Sequence, residues 1–246
     1  MLACHHIGGK HMTDKPFEGW RLSRRAFLEA AATAGVAMAA VPLHLNAADA
    51  PVALHKYQPE FLNVDEWAFV MAATARLIPS EGEGPGARET RVPVFIDRQL
   101  AGKYGAATDW YMQGPYDPSA SPDRGYQTPL TPAQLYRQGI KAVNVWCEKR
   151  HGKTFADLDA PIQDETLTRL QNGRLVLVPE LSWFFSVLLA NTREGYFADP
   201  KYGGNHGMQA WVYIGFPGAR ASFKEWAMQY NKPYPLGPVS IAGKRA

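Results

Sequence analysis

The chain has 246 residues, 46% of them hydrophobic and 20% charged, a balance typical of a globular protein with one medium-sized domain and an appended segment. Its formal net charge at pH 7 is only +3, and residues 51–246 hold 21 Lys/Arg against 19 Asp/Glu. Because nucleic-acid binding depends on basic residues clustered on one face, this composition excludes a nucleic-acid partner.

The first fifty residues have the features of an export signal. The segment 26–45 is long and apolar, but most of its apolar residues are alanines, which insert poorly into a bilayer and disfavour a permanent membrane span. Ala48 and Ala50 follow it in the small-x-small pattern that signal peptidases cut. We therefore predict a signal peptide at residues 1–50 and a mature domain at residues 51–246.

Basic residues near the start of this leader form a specific motif. In the twin-arginine consensus, two arginines are followed by one variable residue, then Phe and Leu. The leader resembles this consensus at Ser23, Arg24, Arg25, Phe27 and Leu28. The alternative is the basic start of an alanine-rich amphipathic helix. Because the twin-arginine pathway carries folded proteins, the signal predicts a cargo that binds a cofactor or a partner in the cytoplasm. Met12 is an alternative start that gives a leader of more usual length.

Five helices are predicted after the leader. An asparagine cap and two acidic residues begin the first, and a Thr-Pro pair with a glutamine three residues after the cap begins the third. Apolar residues follow helical spacing in the first, and proline or glycine ends each of the first three. The predicted ranges are 63–79, 92–102, 131–152, 163–171 and 179–193.

Strands are almost missing from this pattern. Residues 174–178 (RLVLV) suggest only a short extended piece, and there is neither a βαβ alternation nor a fixed-period repeat. We predict a mainly α fold, a single helical domain with long loops rich in glycine, proline and aromatic residues and little or no sheet. We interpret segment 81–90 as a solvent loop and segment 111–128 as a long loop of the functional or partner-bound kind.

Sequence motifs for catalysis and cofactor binding are missing. The chain contains no CxxCH, no HExxH, no Gly-x-Ser-x-Gly elbow and no dinucleotide-binding glycine fingerprint. Downstream of the leader, His55, His151 and His206 are scattered without ligand spacing, and Cys147 suits a buried, unreactive thiol. We therefore predict no catalytic, cofactor-binding or metal-binding residue in this chain.

The densest group of distinctive residues lies in segment 194–218. Aromatic residues alternate there with glycines that permit sharp turns and with polar residues that can bond to the backbone. Such loops form either a tightly packed minor core or a recognition surface. An independent enzyme that uses Glu194, Asp199 and His206 is one alternative.

Several motifs in and before this segment occur together. The most specific are Tyr-Gly-Gly-Asn at 202–205 and Gly-Phe-Pro-Gly at 215–218. The others are Leu-Ile-Pro at 77–79, Pro-Gly-Ala at 85–87, Thr-Pro at 131–132 with Tyr136 and Arg137, Gly-Tyr-Phe-Ala-Asp-Pro at 195–200, and Trp211. From about Phe61 to Gly218, the chain resembles the gluconate 2-dehydrogenase subunit 3 family.

The resemblance implies the small subunit of a three-part, membrane-associated sugar or sugar-acid dehydrogenase of bacteria. In that family a large subunit binds FAD and oxidises the substrate, and a multihaem cytochrome c subunit passes the electrons to quinone. The small subunit supports the flavoprotein and often carries the twin-arginine signal for both. This chain is therefore expected to hold no cofactor, to pass the twin-arginine translocon with its flavoprotein, and to act in the periplasm at the periplasmic face of the inner membrane.

The aromatic loops are then the expected contact surface for the flavoprotein. The interface candidates are Tyr196, Phe197, Asp199, Tyr202, Gly203, Gly204, Asn205, Trp211 and Phe216. The family name favours gluconate as the substrate of the complex, and fructose, sorbitol, glucose and 2-ketogluconate are alternatives. A further alternative is an independent periplasmic enzyme or binding protein.

Overall fold

Helices form most of the regular structure in the computed structural model, which describes residues 52–80, 82, 84–117 and 119–246. Val52–Ala246 form one compact unit. These ranges contain no strand, although isolated β-bridges occur in them, among them those of Val239 with Gly218 and Arg245. The predicted mainly α fold with little or no sheet is confirmed. The α-helices are α1 (Val64–Leu77), α2 (Val92–Ala101), α3 (Pro132–His151), α4 (Ala160–Gln171), α5 (Phe184–Phe197) and α6 (Gln209–Ile214).

The predicted starts of α1 and α3 are confirmed by their caps. The Asn63 side chain accepts a hydrogen bond from the Glu66 amide (2.9 Å), and the Glu66 carboxylate accepts one from the Asn63 amide (2.9 Å). Thr131 and Gln134 form the same capping box at the start of α3. Each box pairs two donors that would otherwise be unpaired at the helix start. Helix α3 ends where Gly152 takes a left-handed conformation.

Other boundaries differ from the prediction. Helix α4 begins at Ala160, earlier than predicted, because Pro161 fits the first turn of a helix. Residues 179–181 form a 3-10 turn, so α5 begins only at Phe184 and continues to Phe197. Residues 174–178 form no strand. None of the helices in the described ranges combines the length and the apolar character that crossing a bilayer requires.

The core forms around aromatic rings from α1, α3 and α5. The ring centroid of Phe69 lies 4.7 Å from that of Phe155 and 6.1 Å from that of Phe184, and Tyr136 packs edge-on against Phe184 at 5.8 Å. The buried Tyr136 hydroxyl donates a hydrogen bond to the Asn191 side-chain oxygen (3.0 Å). Burial raises the pKa of Tyr136 well above its usual value, so the hydroxyl keeps the proton that it donates.

The only thiol in the described ranges is buried in this core, as predicted. Cys147 is fully inaccessible to solvent. Burial raises the pKa of its thiol to about 11. The thiolate, which is the reactive form, is therefore scarce at neutral pH.

A buried carboxylate on α2 fixes the segment that leads into α1. Asp97 is fully buried and accepts four hydrogen bonds: from the Tyr57 hydroxyl (2.9 Å) and from the backbone amides of Glu60 (2.8 Å), Phe61 (3.0 Å) and Leu62 (2.9 Å). Burial and the nearby Asp97 carboxylate raise the pKa of Tyr57 to about 12, so its hydroxyl stays protonated. Amide and hydroxyl donors of this kind stabilise a buried carboxylate, which would otherwise be costly.

Replacing Asp97 with alanine should destabilise the whole unit. The substitution leaves four buried or half-buried donors without an acceptor, so we expect the free energy of unfolding to fall by about 3 kcal/mol in urea titrations. The matched control is Asp109→Asn, because Asp109 is exposed, and its effect should stay within about 0.5 kcal/mol. Equal stability of the Asp97→Ala variant and the wild type would contradict this role for Asp97.

Candidate functional site

The backbone of the Tyr-Gly-Gly-Asn motif crosses the end of α5 at close range. Gly203 has a φ of +100°, which favours glycine. Gly204 lies so near α5 that a Cβ at this position would overlap the carbonyl oxygen of Gly195. On Gly195 itself, a Cβ would come within 2.8 Å of the Phe95 ring. The motif therefore brings the chain across α5 where there is no room for side chains.

Asn205 and Trp211 then fix α6 to the end of α5. The Asn205 Nδ2 donates to the carbonyl oxygen of Ala198 (3.0 Å), and its Oδ1 accepts from the amide of Ala210 (3.0 Å). The indole Nε1 of Trp211 donates to the carbonyl oxygen of Phe197 (2.9 Å). Because Asn205 and Trp211 are both buried, these bonds hold α6 at one position on the surface.

Two further interface candidates also bond within the fold. The Tyr196 hydroxyl donates to the carbonyl oxygen of Pro85 (2.8 Å), and burial is the main cause that raises the pKa of Tyr196. The Asp199 carboxylate accepts from the backbone amides of Lys201 (3.1 Å) and Ile241 (2.6 Å). Both residues are buried and bonded within the subunit. Their predicted contact with a partner stays a prediction, and exposed side chains nearby are the better candidates for that contact.

The outer face of α6 and its flanks are apolar and exposed to solvent. Five residues there are each between 44% and 58% exposed, and we call them the α6 ridge: Phe197, Val212, Tyr213, Ile214 and Phe216. The Phe216 ring packs edge-on against Trp211 at 5.1 Å, and Phe197 bonds to the same indole through its carbonyl oxygen. Phe197 and Phe216 thus both contact Trp211, which lies buried beneath the ridge. Of the interface candidates predicted from the sequence, Phe197, Tyr202 and Phe216 are exposed.

A groove of about 600 Å³ lies along one side of the α6 ridge. Pro85 and Glu89 belong to its far wall, and Val212 and Tyr213 form the near wall. The Tyr213 ring lies over Gly84, where a Cβ would be 2.9 Å from the ring. This face of the molecule therefore has a protruding apolar surface, the α6 ridge, beside a recess, the groove.

The interpretation of segment 81–90 as a solvent loop is wrong for its second half. Ala87 and Thr90 are fully buried. The Thr90 carbonyl oxygen accepts a hydrogen bond from the His206 amide (3.1 Å), so the segment packs beneath the entry to α6. The glycines and charged residues that suggested a solvent loop gave no sign of this long-range contact.

The residues of the independent-enzyme alternative are each engaged separately. Glu194 accepts a hydrogen bond from the Asn191 Nδ2 (3.0 Å), whereas Asp199 binds backbone amides. Burial, with the positive charge of Arg91, lowers the pKa of His206, which keeps the imidazole neutral at neutral pH. In the part of the chain that the structure describes, no group of three or more His, Cys, Asp or Glu residues could hold a metal ion.

Sequence reasoning missed three members of the α6 ridge: Val212, Tyr213 and Ile214. The apolar run 211–214 is visible in the sequence, but only the short helix α6 seen in the structure shows that three of its side chains face solvent. The predicted export signal at residues 23–28 and its cleavage site at residues 48–50 lie outside the described residues.

Exposed apolar surfaces such as the α6 ridge are typical of sites that bind another protein. The structure therefore favours a subunit of a larger assembly. In comparisons with known proteins, a family model described as Gluconate 2-dehydrogenase subunit 3 matches residues 64–218. This match covers more than half of the chain, which therefore belongs to the gluconate 2-dehydrogenase subunit 3 family and is a small subunit of a dehydrogenase complex. Searches of the curated proteins and of the solved structures find no significant match.

Adding a single methyl group at the α5 crossing should be strongly destabilising. Gly204→Ala places a Cβ against the Gly195 carbonyl oxygen, and we expect the free energy of unfolding to fall by about 2 kcal/mol in chemical denaturation. The matched control is Gly237→Ala, because a Cβ there meets no atom within 4 Å, and its effect should stay within about 0.5 kcal/mol. If both variants unfold at the denaturant concentration of the wild type, the crossing is not the tight contact described above.

Proposed function

We propose that this chain is the small, noncatalytic subunit of a flavin-dependent dehydrogenase complex and that the α6 ridge binds the FAD-bearing large subunit. The large subunit oxidises D-gluconate or a related sugar and passes electrons through a multihaem cytochrome c subunit to quinone. The small subunit supports folding of the flavoprotein, and its twin-arginine signal directs both subunits to the periplasmic side of the inner membrane.

The observation that carries this proposal is the exposure of the α6 ridge. A large aromatic or aliphatic side chain left half exposed keeps apolar surface in contact with water. Removing that surface from water contributes about 25 cal/mol for each Å², from which the entropic costs of association must be subtracted. Aromatic residues are enriched in the buried centre of protein interfaces. The ridge has three aromatic and two aliphatic side chains, and its five residues include no charged group.

The way the ridge is held also favours binding to another subunit. Asn205 and Trp211 fix α6 through buried hydrogen bonds, so little conformational entropy remains to be lost when a partner binds. The neighbouring groove offers a recess into which a side chain of the partner can insert. This preorganisation is typical of surfaces that bind a single partner.

The proposed export role is supported by the leader and by the chemistry of the remaining chain. The leader resembles a signal for the transport of folded proteins, whereas residues 51–246 contain no recognisable cofactor motif. These two facts are reconciled if the folded, cofactor-bearing cargo is a partner that this chain accompanies.

Charge placed on the α6 ridge should prevent assembly without unfolding the subunit. Val212→Lys combined with Ile214→Lys puts two ammonium groups into the proposed interface, and we expect at least a hundredfold loss of affinity for the co-expressed flavoprotein, measured by co-purification and titration. Both residues are more than half exposed, so the thermal unfolding of the isolated subunit should change little.

The matched control for these substitutions is Val176→Lys, since Val176 is 86% exposed and lies between α4 and α5. The control should leave assembly intact. If the ridge variant recovers as much flavoprotein as the control does, the α6 ridge is not the interface.

Loss of the paired arginines should retain both subunits in the cytoplasm. We expect Arg24→Lys with Arg25→Lys to abolish periplasmic flavoprotein and dehydrogenase activity in fractionated cells, because translocation requires the guanidinium pair. Arg21→Lys, in the same leader but outside the motif, is the control and should be exported normally. Normal export of the flavoprotein in cells that make the double-lysine variant would refute the proposed export role. It would not contradict the α6 ridge as the interface, which the substitutions at Val212 and Ile214 test separately.

A further inference from the structure

A second exposed surface follows the family-matched residues. Residues 219–238, which we call the C-terminal loop, leave and re-enter the domain at one point, since Gly218 and Val239 are paired in a β-bridge. The Ala219 amide donates to the Val239 carbonyl oxygen (2.7 Å), and the Val239 amide donates to the Pro217 carbonyl oxygen (3.3 Å). The C-terminal loop therefore leaves the helical domain and returns to it at the same place.

The C-terminal loop has a small aromatic cluster of its own. The Tyr234 ring lies 5.8 Å from the Phe223 ring and 5.5 Å from the Trp226 ring, both edge-on. The Arg220 guanidinium lies over the Tyr234 ring at 5.1 Å and donates a hydrogen bond to the Gly237 carbonyl oxygen. These contacts tie the two halves of the C-terminal loop together.

Other apolar side chains of the C-terminal loop face solvent. Met228 is 75% exposed and Tyr230 is 73% exposed, and Leu236 is about half exposed. Lys224 and Lys232 lie among them and are exposed too. Exposed apolar residues and exposed lysines are thus interleaved along the loop, and the Lys232 ammonium donates one hydrogen bond to the Gln229 side-chain oxygen (2.9 Å).

The charge of the chain is concentrated at this end. Residues 219–246 hold five Lys/Arg and one Asp/Glu, so the remaining 218 residues hold 21 Lys/Arg and 22 Asp/Glu of the 26 and 23 in the whole chain. Lys244 and Arg245 also lie at the base of the C-terminal loop, because Arg245 pairs with Val239 and the Lys244 carbonyl oxygen accepts from the Ser240 amide (2.8 Å). The positive field of this region favours an anionic partner.

We infer that the C-terminal loop binds the surface of an anionic lipid bilayer. Met228, Tyr230 and Leu236 enter the interfacial layer, and Lys224 and Lys232 contact the lipid phosphates. The charged side chains favour lipid over a protein partner, because protein interfaces are depleted in lysine, and the loop's one arginine, Arg220, is engaged within the loop itself. Met228 and Tyr230 suit either kind of partner. Tyrosine, tryptophan and lysine together are typical of segments that lie at a membrane surface.

A fluorescent probe on the C-terminal loop tests this inference in the full-length chain. Cys4→Ser leaves only the buried Cys147, and Met228→Cys then carries an environment-sensitive fluorophore. Vesicles that contain phosphatidylglycerol should shift its emission to the blue, whereas vesicles of phosphatidylcholine alone should shift it much less. The matched control carries the probe at Val176→Cys, which is also highly exposed, and its emission should stay unchanged.

The lysines give a quantitative test in the same assay. Lys224→Gln with Lys232→Gln should raise the lipid concentration at the midpoint of the Met228→Cys shift about thirtyfold, ~fivefold for each lysine. Lys149→Gln with Lys153→Gln, two exposed lysines at the end of α3, should leave the midpoint unchanged. An unchanged midpoint in the Lys224→Gln, Lys232→Gln variant would overturn the inference. So would equal emission shifts at positions 228 and 176, or equal shifts of the Met228→Cys probe on neutral and anionic vesicles.

Discussion

The contact between the backbones of Gly204 and Gly195 is the constraint on which the surface of this protein depends. Because the chain crosses α5 without side chains, Asn205 reaches both Ala198 and Ala210, and α6 begins at a fixed point. The direction of α6 then decides which apolar side chains meet solvent. A larger residue at the crossing would displace everything that follows it in the family-matched region.

This arrangement separates two roles among the motif residues. Gly195, Gly204, Asn205 and Trp211 are buried and position α6, whereas Tyr213, Ile214 and Phe216 are exposed and available to a partner. A buried hydrogen-bonded network is rigid and specifies one conformation. An apolar surface placed on that rigid base loses little entropy when it binds. Packing inside the subunit thus determines which apolar side chains are exposed for the proposed contact with another subunit.

The helical fold could be predicted from the sequence because its signals are local. Asn63 and Thr131 begin helices through capping boxes, and proline and glycine residues mark several ends. Helix α6 could not be predicted in the same way, because six residues are too few to show helical spacing. The start of α5 was placed too early because a 3-10 turn at Pro179 resembles a helix start in sequence.

The chemical character of the candidate site could be predicted, but the direction of its side chains could not. Trp211 and Phe216 are both aromatic and five residues apart. The structure buries Trp211, whose indole bonds to the distant Phe197 carbonyl oxygen, and leaves Phe216 exposed, a difference that residue type does not reveal. The family resemblance, drawn from motif residues, is confirmed by the match to residues 64–218. Motifs of this kind identify the family equally well whether their residues pack inside or face a partner.

Hydrogen exchange of the subunit alone and in complex with the flavoprotein tests the central claim most directly. The account predicts slower exchange of amides 209–216 in the complex, because docking on the α6 ridge excludes water from them, and unchanged exchange at residues 172–178. Unchanged exchange at 209–216 in a complex that has formed would contradict the claim that the α6 ridge is the interface.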